Sequence, residues 1–378
     1  MKSLYRLMLY YIESVVLNFV LNNSKLKKEY NNVIIKIDGI GDFIIAFNFL
    51  NNLKSDSEST LIITSGVVSE LSREYFDFDV FVVDPKNFSR NLSYRFFVKK
   101  ILYSITTSVV IVPIVSRVFS TIDVIADAID SKCKYAIAGS FSNINKLEAS
   151  VSNNFYTSLY FAQETDRHET IILKDFLKFI SIDGHVALSN PIPKSDSSKN
   201  KNKLINFERY VVISPGSSDF RKNWHPENYK QIVKFLVSKN INIVFLGGEN
   251  EKSLCQEISS GIPDGMLYNA CGETNLIQSF ELISNAEILI GNDSSMIHAA
   301  VALGVNCLCI AGGGHWGRFV PYPTEDNFNH LRVLTTKMDC FGCNWHCVKR
   351  TNENEIYPCI SNVPVPSVIQ ELLEFNKI

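Results

Sequence analysis

Four short loops hold the residues best suited to chemistry. Asp38-Gly39-Ile40-Gly41-Asp42 follows a β-branched run and sets the carboxylate of Asp42 where a helix begins. In that position Asp42 is either a helix cap or a catalytic group. The stretch Ser214–Trp224 puts small residues, Ser217 and Ser218 among them, ahead of adjacent Arg221 and Lys222. That pattern suits a phosphate group, and it is equally the pattern of a solvated basic loop. Gly247-Gly248-Glu249-Asn250-Glu251 offers two carboxylates after a glycine turn, fit either to hold ribose hydroxyls or to cap the next helix. Gly291–His298 caps a helix with Asp293 or Ser294 and leaves N–H groups around Ser295 and Met296 open to an anion. His298, one turn into that helix, is a core residue or a donor beside a diphosphate.

A fifth group is a cysteine cluster. Four of the nine cysteines, Cys340, Cys343, Cys347 and Cys359, fall in one stretch, with His346 close by. The spacing fits a structural four-thiolate zinc site, and it fits reduced thiols or a disulfide tying down the last segment equally well. The other five lie mostly in apolar runs, as in Cys307-Leu308-Cys309-Ile310, which is ordinary core usage in a reducing compartment.

The elements that must carry these loops alternate. Strands are predicted at Val33–Ile37, Leu61–Thr64, Val80–Val83 and Ser108–Val115. Helices are predicted at Phe43–Leu53, Asn91–Ile105, Ser120–Ile129 and Asp166–Ile180. A polar Ser-, Lys- and Asn-rich stretch then precedes a second cycle, with strands at Tyr210–Ser214, Ile241–Leu246, Ile288–Ile290 and Cys307–Ile310. The expected division is a helical N-terminus over 1–30, an α/β domain over 31–190, a linker over 191–203 and a second α/β domain over 204–378. All four loops follow strands, where open α/β sheets bind ligands.

In the first thirty residues Leu4, Leu7, Met8, Tyr11, Val15 and Phe19 share one helical face. That face either packs on the first domain or lies in a membrane interface, helped by Lys25, Lys27 and Lys28. Arg6, Glu13 and Asn18 interrupt the run, which argues against a spanning helix, and no small-residue cleavage site marks a signal peptide. Phe88–Phe97, with Arg90 and Arg95, reads as an amphipathic helix or as a receiver for an anionic acceptor. Lys plus Arg is 37 against 39 for Asp plus Glu, so nucleic acid held mainly by backbone charge is excluded as a partner. The glycines at 39 and 41 lack the full G-x-G-x-x-G spacing, which speaks against a dinucleotide oxidoreductase.

Together the four loops resemble the lipopolysaccharide heptosyltransferase family, glycosyltransferase family 9. The resemblance runs from about Val33 to Phe375 and is most specific over Ile288–Leu303, followed by Gly312-Gly313-Gly314, Arg318 and Pro321. Gly41-Asp42 and Lys222-Asn223-Trp224 match two further landmarks, while Ser295 stands where the family often has Gly. The resemblance implies a GT-B fold, two Rossmann-like domains facing across a cleft, with a final helix. It implies inverting transfer of a heptose-like sugar from a nucleotide diphosphate donor such as ADP-heptose to a lipopolysaccharide-core or other envelope glycan. Asp42 would be the general base and Lys222 would neutralise the leaving diphosphate, with Ser217, Ser218 or Arg221 nearby. Asp293, Ser294, Ser295, Met296 and His298 would line the phosphates, and Glu249 or Glu251 the ribose. No metal would be needed for the transfer. The expected location is cytoplasmic, with peripheral contact to the inner membrane. Competing readings are a nucleotide-sugar epimerase on the same fold and a non-catalytic envelope-assembly protein.

Overall fold

The computed structural model describes residues 2–21, 27–53, 59–139, 143–162, 167–180, 205–263, 265–323 and 328–375. The polar stretch expected to link the domains lies outside them. The chain forms two compact α/β units, residues 1–165 with 169–186, and residues 166–168 with 187–378.

In the first unit β1 (Lys28–Lys36), β2 (Thr60–Thr64), β3 (Asp79–Val82), β4 (Ile105–Val112), β5 (Asp130–Ile137) and β6 (Ser158–Tyr160) form one parallel sheet. Its order is β3-β2-β1-β4-β5-β6. In the second, β7 (Tyr210–Ser214), β8 (Asn242–Phe245), β9 (Leu267–Asn269), β10 (Ile288–Asn292), β11 (Cys307–Ile310) and β12 (Leu331–Leu334) are likewise parallel, in the order β12-β11-β10-β7-β8-β9. Central strands such as β2, β7, β10 and β11 are buried along their whole length, because helices cover both faces of a parallel sheet. In each sheet the order reverses beside the first strand, between β1 and β4 and between β7 and β10. Loops diverge there and leave a crevice at the carboxyl ends of the strands.

Several expectations need correction. β5, β6, β9 and β12 carried no strand signal; β6 and β9 are three residues long, and β5 is exposed or half-buried from Asp130 to Tyr135 and buried only at Ala136 and Ile137. The predicted helix over 120–129 is a π-helical turn, Phe119–Asp123, and one α-helical turn, Val124–Asp127. The strand predicted at Ser108–Val115 starts at Ile105, where the preceding helix, Leu92–Leu102, has already ended.

Helix α1 (Lys2–Leu21) packs on the first unit, and of the apolar face read from the sequence only Leu7 is buried, the Phe19 side chain lying outside the described residues. Leu7, Tyr10 and Leu17 are buried, with Tyr10 against Phe119 and Phe155. Leu4, Met8, Tyr11 and Val15 face outward. Polar anchors explain the choice. Glu13 accepts from Arg95 at 2.8 Å and Lys99 at 3.3 Å, Tyr10 donates to Asp127 at 2.9 Å, and Arg6 pairs with the buried Glu148 at 3.1 Å. Arg95 is thereby sealed inside rather than offered to an acceptor. No helix among the described residues is long and apolar enough to cross a membrane.

Candidate functional site

In the first unit the loop after β1 runs directly into α2 (Ile40–Ile45), so Asp42 sits in the first turn of a helix. Gly39 precedes it without a side-chain cap, and a Cβ on Gly39 would lie 2.7 Å from Asp42 Oδ2. The glycine thus makes room for the half-buried carboxylate. Beneath it is a group the sequence did not reveal. Lys36, fully buried at the end of β1, donates to Asp38 Oδ2 at 2.7 Å and to the Pro113 carbonyl at 3.2 Å. Burial works to lower the Lys36 pKa, but Asp38, Asp42 and Glu169 more than offset it and hold the ammonium above its ordinary value. Burial, opposed by Lys36 and reinforced by Asp42 and Glu169, pushes Asp38 up to about 7. Asp38 Oδ1 is buried without a hydrogen-bond partner among the described residues. One buried cation, bonded to Asp38, thus lies within the field of three carboxylates, of which Asp42 belongs to the helix turn.

In the second unit the switch point is built by the loops after β7 and β10. Asn292, fully buried at the end of β10, joins them. Its Oδ1 accepts from the Trp224 N–H at 2.9 Å and the Tyr229 hydroxyl at 3.1 Å, and its Nδ2 donates to the Pro215 carbonyl. Nothing in the local sequence around Asn292 signals this role. Asn292→Ala leaves a buried N–H, hydroxyl and carbonyl unpaired, at about 1–3 kcal/mol each. We expect a loss of about 3 kcal/mol or more by denaturant melting; wild-type stability would exclude this role.

The loop after β7 is internally braced. Ser217 Oγ donates to Asn223 Oδ1 at 2.7 Å and lies 2.8 Å from the Asp219 carbonyl. Arg221 closes a fork on Asp219, with Nε–Oδ1 at 2.8 Å and Nη2–Oδ2 at 2.6 Å. The hydrogen bond from Arg221 depresses the Asp219 pKa, so the pair stays ionised. Lys222 makes no ion pair among the described residues. Its ammonium lies 4.3 Å from the Trp345 ring centroid. Burial lowers the Lys222 pKa, while Asp293 and Asp219 raise it. The two adjacent cations are therefore not equivalent: Arg221 is neutralised locally and Lys222 is the one left for a ligand. Ser218 is exposed.

Helix Ser295–Leu303 opens on Ser294 with extended backbone, and Ser294 Oγ is buried without a hydrogen-bond partner among the described residues. The Ser295 and Met296 N–H groups occupy the first turn, where no intrahelical acceptor exists. Asp293 is pushed up to about 6 by burial, with Lys222 pulling the other way. His298 is driven down to about 3, chiefly by burial and also by His168, so it is neutral. Its Nδ1 is 3.0 Å from the Tyr322 hydroxyl and its Nε2 3.7 Å from Asp293. His298 is a buried polar brace behind the helix end. Of the two glutamates, Glu251 lies against Gly216 in the β7 loop, whereas Glu249 turns to Gly272 after β9. Glu251 also accepts from the Gly248 N–H at 2.8 Å.

An open cavity of about 720 Å³ borders Lys222. Its walls are Asp219, Arg221, Arg350 and His346 with the aromatic faces of Trp345 and Tyr357. The glycine run Gly312-Gly313-Gly314 gives this wall its place, since a Cβ at any of them would collide with Phe341, Trp345 or Ile360. The zinc site is not assembled: all nine cysteines are free thiols, and no three His, Cys, Asp or Glu side chains among the described residues converge on an ion position. Nor is the alternative disulfide formed. Cys359 Sγ accepts from the Gly313 N–H at 3.4 Å, and burial pushes its thiol pKa up.

Residues 183–347 match glycosyltransferase family 9 (heptosyltransferase). Over this stretch the C-terminal unit is similar to glycosyltransferase family 9. The chain is 29% identical over 134 residues to a lipopolysaccharide core heptosyltransferase, OpsX, of Haemophilus influenzae, a match covering 35% of this chain and 39% of that protein. The chain thus spans about two fifths of the length of that curated relative. Two solved structures share the fold. A family 9 glycosyl transferase from Veillonella parvula superposes with a TM-score of 0.70 at 17% identity, covering 94% of this chain and 99% of the other. The E. coli heptosyltransferase WaaC with ADP gives 0.66 at 13%, covering 91% and 99%. The family 9 match embraces the Lys222 loop, Asn292 and the Ser294 helix end.

Proposed function

We propose that this protein is an inverting glycosyltransferase that moves a heptose-like sugar from an ADP-linked donor to a lipopolysaccharide-core glycan. The observations that carry the reading are Lys222, within electrostatic reach of Asp293, and the buried Ser294 hydroxyl, without a hydrogen-bond partner among the described residues, at a helix N-terminus in the unit that matches family 9. A diphosphate supplies what both lack: negative charge for the ammonium and acceptors for the hydroxyl and first-turn N–H groups. ADP is proposed as the nucleotide because E. coli WaaC, which shares the fold, was solved with ADP.

In the reaction Asp42 takes the proton of the acceptor hydroxyl as its oxygen attacks the anomeric carbon from the face opposite the leaving group. The bond from that carbon to the diphosphate breaks, and the departing oxygen gains charge. Lys222 and the Ser294 helix end stabilise that charge, the task a metal ion performs in other diphosphate enzymes. Glu251, beside Gly216, is the better placed glutamate for the ribose.

Thermal melts with ADP, UDP and GDP test the donor side. At about a hundredfold excess over Kd, a bound nucleotide adds about 2.7 kcal/mol, a shift of several degrees. ADP should stabilise the protein most. Equal melting with and without every diphosphate would overturn the proposal.

A further inference from the structure

Helix α1 leaves one side without a partner. Leu4, Tyr5, Met8, Tyr11, Ile12, Val15 and Val16 are 45–71% exposed. At about 100° per residue they fill an unbroken arc of about 140°. No charged residue of 3–17 lies on that arc. Both charges in this span, Arg6 and Glu13, are turned to the protein and held in ion pairs. The exposed side is thus uniformly apolar, with tyrosines at two points.

A basic cavity opens along the edge of this arc. About 730 Å³ in volume, it is bordered by Tyr5, Arg6 and Leu9 of α1 and by Lys86, Arg90 and Arg95 of the neighbouring helices. Lys86 and Arg90 are exposed and make no ion pair among the described residues. Asp84, the nearest acid in sequence, is spent capping the helix Pro85–Arg90. The surface is therefore an apolar ridge flanked by unpaired cations.

We infer that α1 is a docking surface for an anionic phospholipid bilayer. The apolar arc sinks into the boundary between headgroups and acyl chains, and the tyrosines sit at that level, where an amphipathic ring is favoured. Lys86 and Arg90 face the lipid phosphates, so apolar insertion and charge attraction act together. A second copy of this chain would satisfy the apolar arc but would bring the same unpaired cations against their like, which counts against self-association. The inference does not depend on the donor chemistry, and nucleotide binding and vesicle binding can fail separately.

Full-length protein is sedimented with phosphatidylcholine vesicles, with and without about a quarter phosphatidylglycerol. The protein should pellet with the anionic vesicles and stay largely in solution with the neutral ones, and about 0.5 M salt should weaken the binding. Met8→Glu with Val15→Glu changes only outward positions and should reduce partitioning about tenfold or more with an unchanged melting temperature. Lys86→Glu with Arg90→Glu should remove the preference for phosphatidylglycerol. No pelleting of wild type, or unchanged pelleting of both variants, overturns the inference. So does a concentration-dependent dimer in solution that Met8→Glu with Val15→Glu dissolves without any vesicle binding.

Discussion

Under the proposed mechanism, replacing Asp42 with Asn is expected to lower sugar transfer by about 10²–10⁴-fold while leaving ADP-induced stabilisation as in the wild type. The asymmetry follows from where Asp42 is held. It belongs to the first unit, in a helix turn that Gly39 leaves open to the carboxylate, and the donor elements belong to the second. Asn keeps the size and most hydrogen bonds of Asp but cannot take a proton. Initial rates with an ADP-linked heptose and a core-glycan acceptor read the effect directly. A variant that turns over at the wild-type rate would remove Asp42 from the mechanism. Asp38 is a poor substitute base, since its one hydrogen-bonded oxygen is committed to Lys36 and the whole group is largely buried.

Lys222→Met is expected to lose about 10²–10³-fold in transfer, the size of effect seen when one donor to a developing anion is removed. Methionine retains the apolar stem and can still lie against Trp345, so folding is spared and the charge alone is tested. Because Arg221 is forked onto Asp219, it does not take over. The same variant should show a reduced thermal shift with ADP, which separates it from Asp42→Asn. Wild-type turnover together with a wild-type ADP shift would exclude Lys222 from the donor site.

Much of this arrangement was legible in the sequence, for local reasons. The loops after β1, β7, β8 and β10 each join an apolar strand to a helical turn through glycine or small polar residues, and both signals lie within about ten residues. Asn292 was not legible, because its meaning lies in partners 63 to 77 residues away. The Lys36–Asp38 pair was not legible for a related reason: one residue ends the strand and the other opens the loop, and only burial makes them a pair. The glycines at 312–314 entered as part of the family resemblance, and in the structure they make room for the rings of Phe341 and Trp345. Whether the Leu4–Val15 face of α1 packs or stays outside could not be read locally, because both sides are apolar. Glu13, Tyr10 and Arg6, through distant partners, fix which side faces the sheet unit.

The single amide of Asn292 has a consequence for exchanging parts between related enzymes. Since the position of the β7 loop is written partly at the end of β10, segment 215–224 is not a transferable module. A chimera that imports this loop from a relative must import the matching residue at 292 as well. The natural unit of recombination is the adjacent strand pair β7 and β10 with both of their loops, not any continuous stretch of chain.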